Sequence, residues 1–415
     1  MSLRLEIPGL IVTEREHSLP LDHAEPDGPR LSVFTRELAD PEGQERPLLV
    51  FFEGGPGFES PRPSRTASSP PWLERALADF RILLLDQRGT GRSSPVGANP
   101  DGPLPPGTPA EQAAYLTHFR ADAIVDDAEA IRRELGVERW SVLGQSFGGF
   151  CAMRYLSAAP EALREVLFTG GVPPLGASID EVYRATFARM RARNELFHAR
   201  YPGDRARLLA LLDRLREEPL VLPGGDRLHP ARLRQLGHLL GMSDGCEQLH
   251  YLLELDPLSP AFLHDVEGIT TFARNPIYAI LHESCWADGG RTGWAAQRIF
   301  EEQDGWPEDY LTGEHIFPWM FDEPSLEPLR EAAELLAGHD WPALYDRRGL
   351  AGNEVAAAAV IYSEDPYVER SFSELTARAI PGLQVWLTSE YEHDGLRRDG
   401  ERILTRLLEL ARGRI

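Results

Sequence analysis

Apolar residues in the first part of the chain come in short unbroken runs, set apart by turns and by stretches of helical spacing. Residues 48–52, 81–85 and 140–143 each have the length of a buried strand, and each leads into a glycine-rich turn. Between the last two, residues 121–135 read as an amphipathic helix that stops at Gly136. Residues 150–159 form a helical pattern closed by Pro160, and residues 166–169 a further strand ahead of Gly170 and Gly171. Strand and helix alternate in this way when a parallel sheet is covered by helices on both faces.

From about residue 173 to 350 the pattern becomes long, Arg- and Leu-rich and helical, as at 179–200 and 205–217, with few candidate strands. The strand signal returns at 355–362 and 383–388, and residues 401–412 predict a closing helix. The expected organisation is therefore a sheet-based core in two parts, 1–172 and 351–415, interrupted by a helical cap domain, 173–350. No internal repeat is visible, and the Pro-rich stretch 95–109 reads as a surface loop.

Composition narrows the function. Of 415 residues, 42% are hydrophobic and 26% charged, as in an ordinary globular protein with a large core. The formal net charge of −22 would repel a phosphate backbone, so nucleic acid is excluded as the expected partner. Three cysteines at wide spacing build neither a disulfide framework nor a zinc site. A charged N-terminus and the lack of any long apolar run predict no signal peptide and no membrane span, and hence a cytoplasmic protein. No His-Glu-x-x-His and no phosphate-binding loop occur, so neither a metal nor another cofactor is expected.

Gly144-Gln145-Ser146-Phe147-Gly148 follows a predicted strand and precedes a predicted helix. A nucleophilic serine on a sharp strand-to-helix turn needs that context, because side chains at the flanking glycines would strike the neighbouring strand and helix. The N–H of Phe147 would then point at the reacting oxygen from the helix N-terminus. A serine hydroxyl is a weak nucleophile and requires a base and a group to orient it. In the α/β-hydrolase order these are an acid and then a histidine, both after later strands. Of the twelve histidines, only His393 lies beyond the resumed strand pattern. Asp365, before Pro366, is favoured as the acid over Glu364, and Asp394 is disfavoured because adjacent residues seldom face each other. The loop Glu53-Gly54-Gly55-Pro56-Gly57 follows residues 48–52 directly and offers Gly55 as the second oxyanion donor.

Three segments in order, Gly54-Gly55-Pro56-Gly57, residues 86–93 (Asp-Gln-Arg-Gly-Thr-Gly-Arg-Ser) and the serine turn with Gly149, resemble the markers of the proline iminopeptidase branch of the α/β hydrolases. Residues 312–314 (Thr-Gly-Glu), 318–321 (Pro-Trp-Met-Phe) and 390–397 are similar to its longer bacterial members, so the resemblance spans nearly the whole chain. It implies an α/β-hydrolase fold, a mostly parallel sheet flanked by helices, with a helical cap. It also implies a serine peptidase that removes N-terminal proline from small peptides with a free N-terminus. Glutamates of the cap bind the substrate amine in that family, a role that local context carries to Glu283 and, second, to Glu314. A cationic amine taken out of water needs such a carboxylate. Two departures stand out: Glu53 where the family has histidine, and an acid within Ser363-Glu364-Asp365-Pro366 rather than Gly-Arg-Tyr-Asp. The competing readings are an esterase, an aminopeptidase of other specificity, and a non-catalytic binding protein of the same fold.

Overall fold

A computed structural model of the chain describes residues 2–415 apart from residues 67, 99–102, 104, 106 and 304. Part of the Pro-rich stretch 95–109 therefore lies outside the described residues. Seven strands precede the helical region: β1 (Ser2–Ile7), β2 (Leu10–Pro20), β3 (Arg30–Ala39), β4 (Leu48–Phe52), β5 (Arg81–Leu85), β6 (Trp140–Gln145) and β7 (Leu163–Thr169). A short hairpin inside that region supplies β8 (Leu220–Val221) and β9 (Arg227–Leu228), and β10 (Ala356–Tyr362) and β11 (Leu383–Thr388) follow it. The main sheet runs β1-β2-β3-β5-β4-β6-β7-β10-β11. Its first three pairings are antiparallel and the rest parallel.

The antiparallel strands β1 to β3 are absent from the sequence-based expectation, and their composition explains why. Polar and charged residues fill the middle of β2 and interrupt β3, which does not read as a buried run. In the sheet these charges pair across strands, Arg36 with Glu14 at 2.6 Å and Arg15 with Glu37 at 2.8 Å. The apolar members, Val12, Val33 and Leu38, face inward.

Alternation along the parallel strands builds two separate apolar layers. Leu49, Phe51, Leu143 and Val360 pack with Leu73 and Leu77 of helix Leu73–Asp79 and with Ile403, Leu404 and Leu407 of helix Gly400–Ala411. Val50, Phe52, Val142 and Phe168 pack on the other face with Ile124, Ala128 and Ile131 of helix Ala121–Glu134 and with Phe150 and Met153 of helix Phe147–Ala158. That helix begins three residues earlier than the sequence pattern suggested, directly after the serine.

Between β7 and β10 the chain is helical, beginning with Ile179–Arg200 and Asp204–Glu217. Leu208, Leu212, Leu236 and Leu249 form a core of their own, whereas Phe187, Ile277 and Trp286 of the same region join the core beneath the sheet. Among the described residues no helix is long and apolar enough to cross a membrane.

Register decides where the chemistry can sit. Phe52 pairs with Gly144, Gln145 with Thr169, Val360 with Thr169 and Tyr362 with Thr388, so β4, β6, β7, β10 and β11 end at the same edge of the sheet. The loops carrying Gly54, Ser146, Gly170, Asp365 and His393 all leave from that edge, where open α/β sheets bind their ligands.

Candidate active site

Ser146 sits between β6 and helix Phe147–Ala158 with φ 52° and ψ −122°, a conformation that costs a non-glycine residue about 1–3 kcal/mol. The surroundings hold it there. Its N–H donates to the Thr169 carbonyl at 2.9 Å and its carbonyl accepts the Gly149 N–H at 2.7 Å. The flanking glycines are dictated by contact: a Cβ on Gly148 would lie 2.0 Å from the Phe52 carbonyl oxygen, and one on Gly144 would lie 2.3 Å from that of Gly148.

His393 comes to Ser146 from the loop after β11, with Nε2 2.8 Å from Oγ. Its Nδ1 lies 2.7 Å from Asp365 Oδ2. Asp365 is almost completely buried, and its other oxygen accepts the N–H groups of Tyr367 at 2.8 Å and Val368 at 3.1 Å. The acid is thus locked before it meets the imidazole. Burial alone would depress the imidazole, but the Asp365 charge and hydrogen bond, with Glu314 adding to them, overcome this and raise its pKa above the ordinary histidine value. Neither alternative acid reaches the ring: Glu364 is directed to Arg189 at 3.4 Å, and Asp394 accepts the Ser243 N–H at 3.1 Å.

Three consecutive residues of the His393 loop are tied to the helical region. Arg193 Nη1 donates to Glu392 at 2.8 Å while its Nε donates to the Leu240 carbonyl at 2.8 Å. The His393 N–H donates to the Gly241 carbonyl at 3.1 Å, and Ser243 holds Asp394. The position of the base therefore depends on residues 193–243 as well as on the sheet. No sequence pattern announces these contacts.

Gly54 and Gly55 lie against the serine, a Cβ on Gly54 being only 3.2 Å from that of Ser146. The Gly54 N–H is spent on Glu53 Oε1 at 2.9 Å, and among the described residues no acceptor takes the Gly55 N–H. The Phe147 N–H opens its helix and has no intrahelical partner. These two donors are available to a developing oxyanion. Glu53, the departure from the family histidine, uses its carboxylate on that loop.

Ser146 and His393 open into a cavity of about 500 Å³ that also contains Glu314, Tyr278, His238, Tyr367, Phe58, Phe272, Leu239 and Met242. Glu314 accepts a hydrogen bond from the Tyr278 hydroxyl and lies 3.6 Å from His282 Nε2. Burial works against its charge, but His282, His238 and His393 around it hold its carboxyl at about 2. The histidines, scattered along the sequence, thus converge in space. The sequence held no signal for this, nor for Tyr278 and Tyr367 as cavity walls.

Glu283 is a correction. It does not line this cavity: its Oε1 accepts the Ala296 N–H at 2.9 Å, at the start of helix Ala295–Glu301, and its other oxygen is buried without a hydrogen bond among the described residues. Burial pushes its carboxyl up, against the pull of those N–H groups. Glu283 belongs to the packing of the helical region, and of the two expected amine anchors the structure brings only Glu314 to Ser146.

A family model described as the alpha/beta hydrolase fold matches residues 47–215. A proline iminopeptidase of Aeromonas sobria is 47% identical over 410 residues, covering 95% of each chain. One of Aspergillus aculeatus is 33% identical over 427 residues, covering 97% of this chain and 94% of its own. A solved proline iminopeptidase of Mycobacterium smegmatis, 14% identical, aligns over 96% of this chain and 98% of its own with a TM-score of 0.44. Near-full-length identity of this order, over a sheet that ends in a Ser-His-Asp cluster, means that the chain belongs to the proline iminopeptidase family of α/β hydrolases.

Proposed function

We propose that the protein is a serine aminopeptidase that releases N-terminal proline from small peptides through an acyl-enzyme. His393 takes the proton of Ser146, the hydroxyl oxygen attacks the prolyl carbonyl, and the N–H groups of Gly55 and Phe147 receive the oxyanion. Asp365 orients His393 and stabilises its charged form. His393 then protonates the departing peptide nitrogen, and water repeats the sequence to free proline. Glu314 receives the protonated secondary amine, and the apolar walls from Phe272, Tyr278 and Leu239 take the pyrrolidine ring. The helical region 173–350 acts as the cap that limits access.

The observation that carries this reading is the partly buried carboxylate of Glu314 in the same cavity as a hydrogen-bonded Ser146-His393-Asp365 chain. An esterase has no use for such a group, whereas a free N-terminus is held by it. The cytoplasmic location is supported by three cysteines that are free and buried.

Hydrolysis of a prolyl anilide and of a short-chain nitrophenyl ester by wild type, Ser146→Ala and Glu314→Gln tests the proposal. Ser146→Ala should abolish both activities. Glu314→Gln should raise KM on the anilide about tenfold to hundredfold, the worth of one hydrogen bond to a charged group, while sparing the ester. Activity on the ester alone in wild type, or equal losses on both substrates in Glu314→Gln, would overturn it.

A further inference from the structure

The cavity is electrically bipolar. Its lining holds Glu314, partly buried beside Tyr278 and His282, while two exposed guanidinium groups, Arg274 and Arg397, stand at its rim.

The two arginines differ in what they have left to give. Arg274 is engaged by both oxygens of Glu59 and by Asn275. The Arg397 side chain is 61% exposed and makes no hydrogen bond among the described residues; its one acidic neighbour, Glu53 Oε1, stands 3.6 Å away and already accepts the Gly54 N–H. A guanidinium presents five donors in a planar fork that matches a carboxylate in two parallel bonds. Arg397 lines the same cavity as Ser146 and His393.

Position fixes which carboxylate could use them. His393 must hand its proton to the leaving nitrogen, so the departing part of the peptide lies on the histidine side of Ser146. Arg397 follows His393 by one turn of chain, on the short helix Gly395–Arg398. A peptide residue spans at most about 3.6 Å, so only a short departing peptide keeps its C-terminal carboxylate inside the cavity that Ser146 and Arg397 share.

We infer that Arg397 forms a subsite for the free C-terminal carboxylate of di- and tripeptides, which makes the enzyme a consumer of short zwitterionic peptides. The inference rests on the aminopeptidase reading above. A substrate held at both ends, amine on Glu314 and carboxylate on Arg397, would be aligned across Ser146 by opposite charges.

The test is the ratio of kcat/KM for prolylglycine to kcat/KM for prolylglycinamide, which differ only in the terminal charge, with a prolyl anilide as a third substrate. Wild type should favour the acid about three- to tenfold, with the preference shrinking as salt is added. Arg397→Gln should bring the ratio close to one, and Arg397→Lys should keep part of it. A wild-type ratio near one, or an unchanged ratio in Arg397→Gln, overturns the carboxylate subsite. Hydrolysis of the anilide and of both dipeptides at equal efficiency would sink the subsite and leave the aminopeptidase standing. Failure of wild type on all three would sink both.

Discussion

Replacing Asp365 by asparagine removes one charge with hardly any change of shape, and the surroundings determine what the amide does next. One oxygen of Asp365 accepts two backbone N–H groups, from Tyr367 at 2.8 Å and Val368 at 3.1 Å, and the other faces His393 Nδ1 at 2.7 Å. An NH2 group in the first position would meet two donors in a buried site, so the amide carbonyl must occupy it and the NH2 must point at the imidazole. Nδ1 then has to accept, which places the ring proton on Nε2, directed at Ser146 Oγ. In that tautomer the base cannot take the proton of the serine. The equivalent exchange in other serine enzymes costs about 10⁴ in kcat, ~5 kcal/mol at about 1.36 kcal/mol per tenfold. The measurement is kcat/KM on a prolyl anilide at neutral pH, with thermal unfolding confirming a native fold. Glu364→Gln is the control, and its exposed pairing to Arg189 predicts a change of no more than about twofold. An Asp365→Asn protein that folds and keeps more than about a tenth of wild-type activity would refute the assignment, as would a comparable loss in Glu364→Gln.

Because His393 must be neutral to act and its pKa is raised, kcat/KM should fall as pH drops through a limb above about 6.5, and it should fall again at alkaline pH as the substrate amine loses the proton that Glu314 binds. Glu314 stays ionised down to about 2 and adds no second acidic limb, so a pH profile with its limb below 6 would contradict this picture. Gly148→Ala sets a Cβ 2.0 Å from a backbone oxygen that cannot move aside, and should cost about 3 kcal/mol or more in denaturant unfolding, or prevent folding outright. Arg193→Gln frees the loop of His393 from Leu240 and strands Glu392; kcat should fall about tenfold with little change in KM, and Arg193→Lys should recover part of it. Glu283→Gln keeps the acceptor for the Ala296 N–H and should change kcat/KM by less than about twofold, whereas Glu283→Ala should lower stability by about 1 kcal/mol without touching KM.

The serine turn was legible from the chain alone because its requirements are local: a buried strand, two glycines without room for a Cβ, and a helix that starts at once. His393 was legible because the order of elements leaves one histidine after the last strands. The choice of Asp365 over Glu364 rested on Pro366 and the helical segment after it, and in the structure the N–H groups of Tyr367 and Val368 turn back onto the aspartate. Strands β2 and β3 were not legible, because their charges are compensated only by partners that the fold brings together, on neighbouring strands and at Arg92.

Glu283 shows the limit most clearly. Two glutamates in similar local contexts, 31 positions apart in the chain, were candidates for the same role. Nothing in either neighbourhood says that one caps a helix while the other faces Ser146. That difference is made by the packing of the helical region over the sheet edge, which directs Glu283 to the start of helix Ala295–Glu301 and Glu314 into the cavity with Tyr278 and three histidines around it. The sequence by itself determined which serine, histidine and aspartate meet at the sheet edge, because short-range sterics and strand order constrain each of them. Only the tertiary structure decided what faces the nucleophile across the cavity, because a buried charge is stabilised by groups that the fold gathers from distant parts of the chain.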